Sequence, residues 1–185
     1  LYLNEKCTIN DLQNKYFPKT NNIILNGFHV KDKNRIIKEK DSLIFFNNEK
    51  INENIYKQIL ACRHSEKKQK ILLKSHIGIA GLGGLGSHAA ISLARLGIGQ
   101  LTLADFDNVD ATNIHRQAYF LKHIGMKKTD ALNDLINNIN PFVQTKYWDI
   151  KVNSNNAFEI FEKCHIIIEA FDKPQEKAML IKALS

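Results

Sequence analysis

From residue 76 onward, the apolar positions switch between two spacings. Short continuous apolar stretches at residues 77–80 and 101–104 alternate with segments whose apolar residues recur every three or four positions: Ala90, Leu93, Ala94 and Leu96, then Ala131, Leu132, Leu135, Ile136 and Ile139. The pattern predicts strand 76–80, helix 87–96, strand 100–105, helix 127–139, strand 143–148, helix 154–161, strand 164–169 and helix 174–184. Regular alternation of this kind makes an α/β fold, a doubly wound parallel sheet whose ligands sit at the carboxyl ends of the strands.

The first part of the chain has another rhythm. Residues 1–4 read as a strand and turn, residues 9–17 as a short helix, residues 23–28 as a strand entering an Asn26-Gly27 turn, and residues 42–46 as a last strand. This order predicts a small α+β domain of the β-grasp (ubiquitin-like) type over residues 1–48. Residues 49–75 form a helical linker, with Ile51, Ile55, Ile59 and Leu60 on one stripe, and residues 76–185 make the main domain.

The candidate chemistry lies where the first long strand ends. Gly81, Gly83, Gly84 and Gly86 follow it directly, and a helix then begins. Glycines let a backbone approach a polyphosphate closely, and the first N–H groups of a helix aim unpaired donors and a positive dipole end at it. Asp105 follows nineteen residues after Gly86, at the end of the second strand, where an acid accepts from ribose hydroxyls. The fold is therefore Rossmann-like and the expected ligand a nucleotide. The next stretch discriminates among nucleotides. Instead of an amphipathic helix there is a polar, acid-rich loop, residues 105–117, in which Thr112 or Asn113 suits an N-cap. From such a cap, Asn113 and Arg116 project from one face. A second cation, Lys128, opens the next amphipathic helix, which Pro141 closes. Two cations near one polyphosphate suggest nucleotidyl transfer.

The run Gly81–Gly86, Asp105-Phe106-Asp107, Thr112-Asn113-Ile114-His115-Arg116-Gln117, Gly125 to Lys128, Ile139-Asn140-Pro141 and Glu169-Ala170-Phe171-Asp172 resembles the sulfur-carrier adenylyltransferases of the ThiF/MoeB type, relatives of the ubiquitin-activating enzymes. The resemblance implies adenylation, with release of pyrophosphate, of the C-terminal glycine carboxylate of a small ubiquitin-like sulfur carrier. It implies ATP and Mg²⁺ as cofactors, with the glycines around the nucleotide and Asp105 on the ribose. Asp107 would stand nearby, Asn113 would orient a phosphate or the carrier's tail, Arg116 and Lys128 would neutralise the phosphates, and Asp172 would hold Mg²⁺. It also implies a homodimer in which a basic residue of the linker, Arg63 or else Lys57, reaches the ATP of a partner subunit. Taken singly, Arg116 and Lys128 would be solvated cations, and Asp172, before Lys173-Pro174, a helix cap.

Residues 24–27 and 39–46 are similar to a ThiS-type carrier, which favours thiamine (thiazole) biosynthesis. A working carrier ends in a free Gly-Gly carboxylate, whereas here Phe46 runs on into Asn47-Asn48-Glu49-Lys50. The fused copy is therefore expected to be a docking, dimerising or regulatory module. Cys7, Cys62 and Cys164 are scattered and contain no CxxC pair, so neither the zinc site of many relatives nor a disulfide framework is expected. The family pattern continues past the helix containing Met179, Leu180 and Ile181, which implies a compact or truncated variant.

Composition narrows the remaining classes. With 185 residues, 44% of them hydrophobic, the chain can build a real core, and no apolar run approaches a membrane span, so a cytoplasmic location is the default expectation. The net charge of +7 comes from scattered lysines without interleaved aromatic residues, which suits an acidic protein partner better than specific nucleic-acid binding. Two rival readings remain, a nicotinamide-dependent oxidoreductase and a non-catalytic nucleotide-binding adaptor. The first gives no reason for Asn113, Arg116 and Lys128 to follow in this order.

Overall fold

The computed structural model describes residues 7–47 and 51–185; the side chains of residues 62–64 and 66 lie outside that description. The strand expected at residues 1–4, and the side chains of Cys62 and Arg63, fall outside it as well. The chain divides into two compact units, Leu1–Lys70 and Ile71–Ser185.

In the first unit, helix α1 (Ile9–Tyr16) starts at a capping box, in which the Thr8 side chain accepts from the Asp11 N–H and the Asp11 carboxylate accepts from the Thr8 N–H. Strands β1 (Asn22–Leu25), β2 (Phe28–His29) and β3 (Leu43–Phe46) form an antiparallel sheet in the order β2-β1-β3, with Ile24 opposite Ile44. The Asn26-Gly27 turn has φ of 51° and 85°, the double positive φ of the tight hairpin that this dipeptide predicts. Ile9, Leu12, Ile23, Ile44 and Phe46 are buried. Helix α2 (Glu53–His64), N-capped by Asn52, packs on β3, and α3 (Glu66–Lys74) follows it.

The second unit is a four-stranded parallel sheet in the order β6-β5-β4-β7, built from β4 (His76–Ala80), β5 (Gln100–Ala104), β6 (Gln144–Trp148) and β7 (Ile166–Glu169). The order reverses at β4, so the crevice beside its carboxyl end is the switch point where such sheets bind ligands. Helices α4 (Gly84–Leu96) and α5 (Lys128–Ile139) bury Ala90, Ala94, Leu132, Leu135 and Ile136 in one core with Ile77, Ile79, Leu101 and Leu103. Helices α6 (Ala157–Phe161) and α7 (Pro174–Leu184) bury Ile160, Phe161 and Leu180 in a second core with Ala80 and Ala104. Both faces of β4 and β5 are covered, which is why their sequences read as continuous apolar runs rather than alternating ones. The α/β doubly wound class expected from the sequence is present, and so is a small N-terminal α+β unit.

Several boundaries differ from the periodicity reading. Helix α4 begins at Gly84 rather than at residue 87, because the Gly83 carbonyl already accepts from the Ser87 N–H at 3.0 Å and starts the helical ladder. Helix α6 begins at Ala157 rather than at residue 154. Asn153 Oδ1 accepts from the Asn155 and Asn156 N–H groups, a side-chain turn that competes with helix. Strand β7 starts at Ile166, and residues 164–165 enter through a Cys164 N–H bond to the Phe161 carbonyl. Cys7 and Cys164 are free thiols, and among the described residues no helix is long and apolar enough to cross a membrane.

Asn140 ties the two helices of the first core. It is 3% exposed, and its amide donates to the Ala94 carbonyl at 2.9 Å at the end of α4 while its Oδ1 accepts from the Phe142 N–H at 3.2 Å. Asn140→Ala should leave both backbone groups without that partner and lower the stability of this unit by about 1–3 kcal/mol. Urea unfolding followed by the fluorescence of Trp148, the single tryptophan, measures it.

Candidate functional site

The carboxyl ends of β4, β5 and β7 open into one pocket. Gly81 and Gly83 come from the loop after β4, Asp105, Phe106 and Asp107 from the end of β5, Lys128 from the start of α5, and Phe171 and Asp172 from the end of β7. Gly81 has φ of +93°, and a side chain there would also come within 2.9 Å of the Ala170 carbonyl oxygen, so only glycine turns the chain out of β4 at this place. Gly86 fills a different role, since a methyl group on it would overlap the Gly81 carbonyl oxygen. Around Gly83 there is open space.

Asp105 is buried and organises the loop. Its Oδ2 accepts from the Leu82 N–H at 2.6 Å and its Oδ1 from the Asp107 N–H at 2.8 Å. Lys128, itself buried, places Nζ 2.8 Å from Asp107 Oδ2 and 3.6 Å from Asp105 Oδ2. Its backbone is fixed too, because the Lys128 N–H donates to the Asp107 carbonyl at 3.0 Å and an isolated bridge pairs Asn108 with Lys127. The loop before α5 is closed by His123, 1% exposed, whose Nδ1 accepts from the Phe120 N–H at 3.0 Å while Nε2 meets Asp134 at 3.1 Å. Hydrogen bonds from Lys122 and then His123 hold the Asp134 carboxyl below the usual carboxylate range.

Arg116 and Asn113 stand apart from that lining. The expected cap at Thr112 or Asn113 is replaced by Asp110, which accepts from the Thr112 N–H at 2.7 Å and opens a single turn of 3₁₀-helix, Ala111–Asn113. Hydrogen bonds from the Thr112 hydroxyl and N–H hold the Asp110 carboxyl low. Arg116 Nη2 donates to Asn113 Oδ1 at 3.0 Å, so the two do share one side of this turn. The guanidinium reaches the amino end of α4, since a methyl group on Gly84 would lie 3.4 Å from Arg116 Nη1. Thus Gly81, Gly83, Asp105, Asp107, Lys128 and Asp172 line the pocket, and Gly84, Gly86, Asn113 and Arg116 border its glycine loop.

Sequence reasoning passed over three charged residues of the wall: Lys151, Lys173 and Glu176. Lys151 follows β6 and its Nζ lies 5.6 Å from the centre of the Phe106 ring. The rule that ligands gather beyond strand carboxyl ends applies to the loop after β6 as much as to the others, and would have pointed to it. In all, four acids and three lysines face the pocket, Asp105, Asp107, Asp172 and Glu176 against Lys128, Lys151 and Lys173. Asp172 makes no hydrogen bond or ion pair among the described residues. Beside these charges, Phe106, Ile150, Val152 and Phe171 offer apolar surface for a planar base.

A switch-point pocket that joins a glycine loop, an amino-terminal helix end and paired charges is the ligand crevice of a Rossmann-like domain. The chain belongs to the ThiF family, whose profile matches residues 56–184, and a ThiS-like ubiquitin profile matches residues 1–48. It is 33% identical over 110 residues to the adenylyltransferase and sulfurtransferase UBA4 of Debaryomyces hansenii, covering 59% of this chain and 25% of that protein. It is 36% identical over 120 residues to the tRNA threonylcarbamoyladenosine dehydratase of Escherichia coli, covering 64% of this chain and 45% of that protein. A crystal structure of the E. coli dehydratase in complex with ATP superposes with a TM-score of 0.63 and 35% identity, over 66% of this chain and 51% of that one. The chain thus spans less than half the length of the two curated relatives.

The glycines separate fold from ligand. Gly86→Ala should distort the loop and cost about 3 kcal/mol or more, read as a lowered urea midpoint. Gly83→Ala, whose methyl group meets nothing but which replaces the glycine N-cap of α4, should cost only about 1 kcal/mol, yet weaken ATP in calorimetric titration by narrowing the cradle.

Proposed function

We propose that this chain carries the ATP site of an enzyme that adenylates the C-terminal carboxylate of a ubiquitin-like sulfur carrier. The single observation behind the reading is the gathering of Gly81, Gly83, Asp105, Asp107, Lys128 and Asp172 around one pocket in a ThiF-family domain. The ATP complex of the E. coli relative supports the choice of nucleotide.

The carboxylate oxygen of the carrier attacks the α-phosphorus, the bond to the bridging oxygen breaks, and pyrophosphate leaves. Two anions must meet, so catalysis consists of holding them in line and neutralising charge. Arg116 at the amino end of α4 and Lys128 at that of α5 are the cations for the phosphates. On binding, Lys128 exchanges part of its contact with Asp107 for a phosphate oxygen. A pocket with four acids to three lysines does not balance a triphosphate by itself, and this favours Mg²⁺. Among the described residues no three His, Cys, Asp or Glu side chains gather as a metal cage. Mg²⁺ needs only one or two carboxylates when phosphates and water complete its shell, and Asp172 with Asp107 fits that demand. Bound there, the ion would neutralise charge on the phosphate oxygens.

The ThiS-like first unit supports a carrier of that type as partner, and a role in thiazole formation. The tRNA-modifying relative supports a second reading, in which the carboxylate belongs to a modified tRNA nucleoside. The fused unit itself serves docking, dimerisation or regulation, because its last strand continues through a peptide bond into Asn47 and offers no carboxylate. We also take the working form to be a homodimer, in line with the resemblance noted in the sequence.

Carrier-dependent ATP–pyrophosphate exchange tests the reading. Arg116→Ala should lower exchange by about 10²–10³-fold, the scale for losing one preorganised charge stabiliser, in a protein whose circular dichroism is unchanged. Near-normal exchange would remove Arg116 from the mechanism. Stimulation by threonylcarbamoyl-modified tRNA in place of a carrier would favour the second reading. With ATP and no carrier, mass spectrometry of the intact chain should find no adenylate on it.

A further inference from the structure

The phosphate-facing loop is gripped from behind by a residue outside the pocket. The Leu82 peptide is buried, and both of its polar groups are held: the N–H donates to Asp105, and the carbonyl accepts from the Tyr119 hydroxyl at 2.8 Å. Tyr119 lies 37 residues further along and is 4% exposed. The next carbonyl, that of Gly83, accepts from the Ser87 hydroxyl at 2.6 Å, and Ser87 Oγ in turn accepts from the Ala118 N–H at 3.1 Å. Residues 118–119 and Ser87 therefore draw two successive carbonyls of the loop to the same side.

A trans peptide is planar, so its C=O and the following N–H point in opposite directions. Fixing the Leu82 and Gly83 carbonyls thus aims the Gly83 and Gly84 N–H groups away from Tyr119 and Ser87. Neither N–H donates to another group among the described residues. We propose that Tyr119 is a positioning residue for nucleotide binding, whose hydroxyl orients the loop amides toward the phosphates by holding the Leu82 carbonyl. Burial, with the Asp105 charge beside it, pushes the phenol far above its ordinary pKa, so the hydroxyl keeps its proton and remains a donor. The inference rests on the reading that the phosphates of ATP occupy this loop.

Tyr119→Phe keeps the ring and removes the donor. Calorimetric titration of the whole chain with ATP and with adenosine should give a dissociation constant about tenfold higher for ATP. Adenosine, which has no phosphate, should stay within about twofold of wild type. A purely structural tyrosine would move both ligands together, and that result overturns the proposal. Replacement of Tyr119 by 4-aminophenylalanine, a weaker donor, should raise the ATP constant by about threefold with adenosine unchanged. This variant decides the matter alone if Tyr119→Phe does not fold, and unchanged ATP binding in it overturns the proposal. Wild-type chain that binds adenosine and ATP equally defeats the phosphate-loop reading and the role of Tyr119 with it. Wild type that prefers ATP, with both variants equal to it, defeats the role of Tyr119 alone.

Discussion

The carboxylate of Asp105 is the point on which the site depends. It is a buried charge, and burying a charge costs several kcal/mol unless hydrogen bonds and an opposite charge answer it. Three groups do so: the Leu82 N–H, the Asp107 N–H and the Lys128 ammonium. They come from the loop after β4, the turn after β5 and the start of α5. One side chain thus sets the relative position of the glycine loop, the acidic turn and the principal lysine. Because hydrogen bonds to an ionised group contribute about 1.5–3 kcal/mol each, loss of any one of the three partners would loosen the other two segments.

This arrangement explains why Lys128 rests between two carboxylates. A bare buried ammonium would be destabilised by desolvation, so acids stand close to this cation. Under the proposed adenylation the same acids oppose a polyphosphate, and this opposition is resolved only if further positive charge comes with the nucleotide or stands near it. Arg116, exposed and held by Asn113 beside Gly84, is free to turn, since an exposed side chain gives up little to do so. In the adenylation we propose, the buried cation is a fixed electrostatic anchor and the exposed one an adjustable partner.

Sequence periodicity reached the sheet because β4 and β5 are buried on both faces, and continuous apolar runs such as residues 77–80 leave few other possibilities. That the glycine loop, Asp105 and Lys128 share one pocket was legible because strand, turn and helix follow in the order that places them at adjacent strand ends. What remained hidden has a physical cause. Helix propensity disfavours Gly84 and Gly86 as helical residues, so the start of α4 was placed three residues late; close packing of Gly86 on Gly81 overrides that preference. Periodicity also does not reveal which way a strand-end carboxylate turns. Asp105 reads as a ribose acid, yet both of its oxygens face backbone amides, which leaves only its remaining lone pairs for a sugar. Lys151 and Lys173 escaped sequence reasoning because nothing in local spacing marks a loop that lies beside a pocket. Nothing in local spacing singles out Tyr119, since its partner is a backbone carbonyl 37 residues distant in sequence.

The first unit poses a different chemical question. It has the sheet and helix of a carrier, down to the Asn26-Gly27 hairpin, whose Asn26 Oδ1 accepts from the Ser42 N–H at 2.8 Å. Activation of a carrier, however, requires a carboxylate oxygen with a free charge to attack phosphorus. After β3 the chain supplies an amide, whose carbonyl oxygen is a far weaker nucleophile toward phosphorus than a carboxylate. Asn47, the residue after that strand, is moreover tied back, its Oδ1 accepting from the Asn21 N–H at 2.9 Å. A tail that must thread into an active site has to be unpaired and extended, and here the corresponding residue is spent on closing the sheet. Selection of a ubiquitin-type shape without its reactive end is consistent with recognition of a surface, in which the unit's form is used and its chemistry is not.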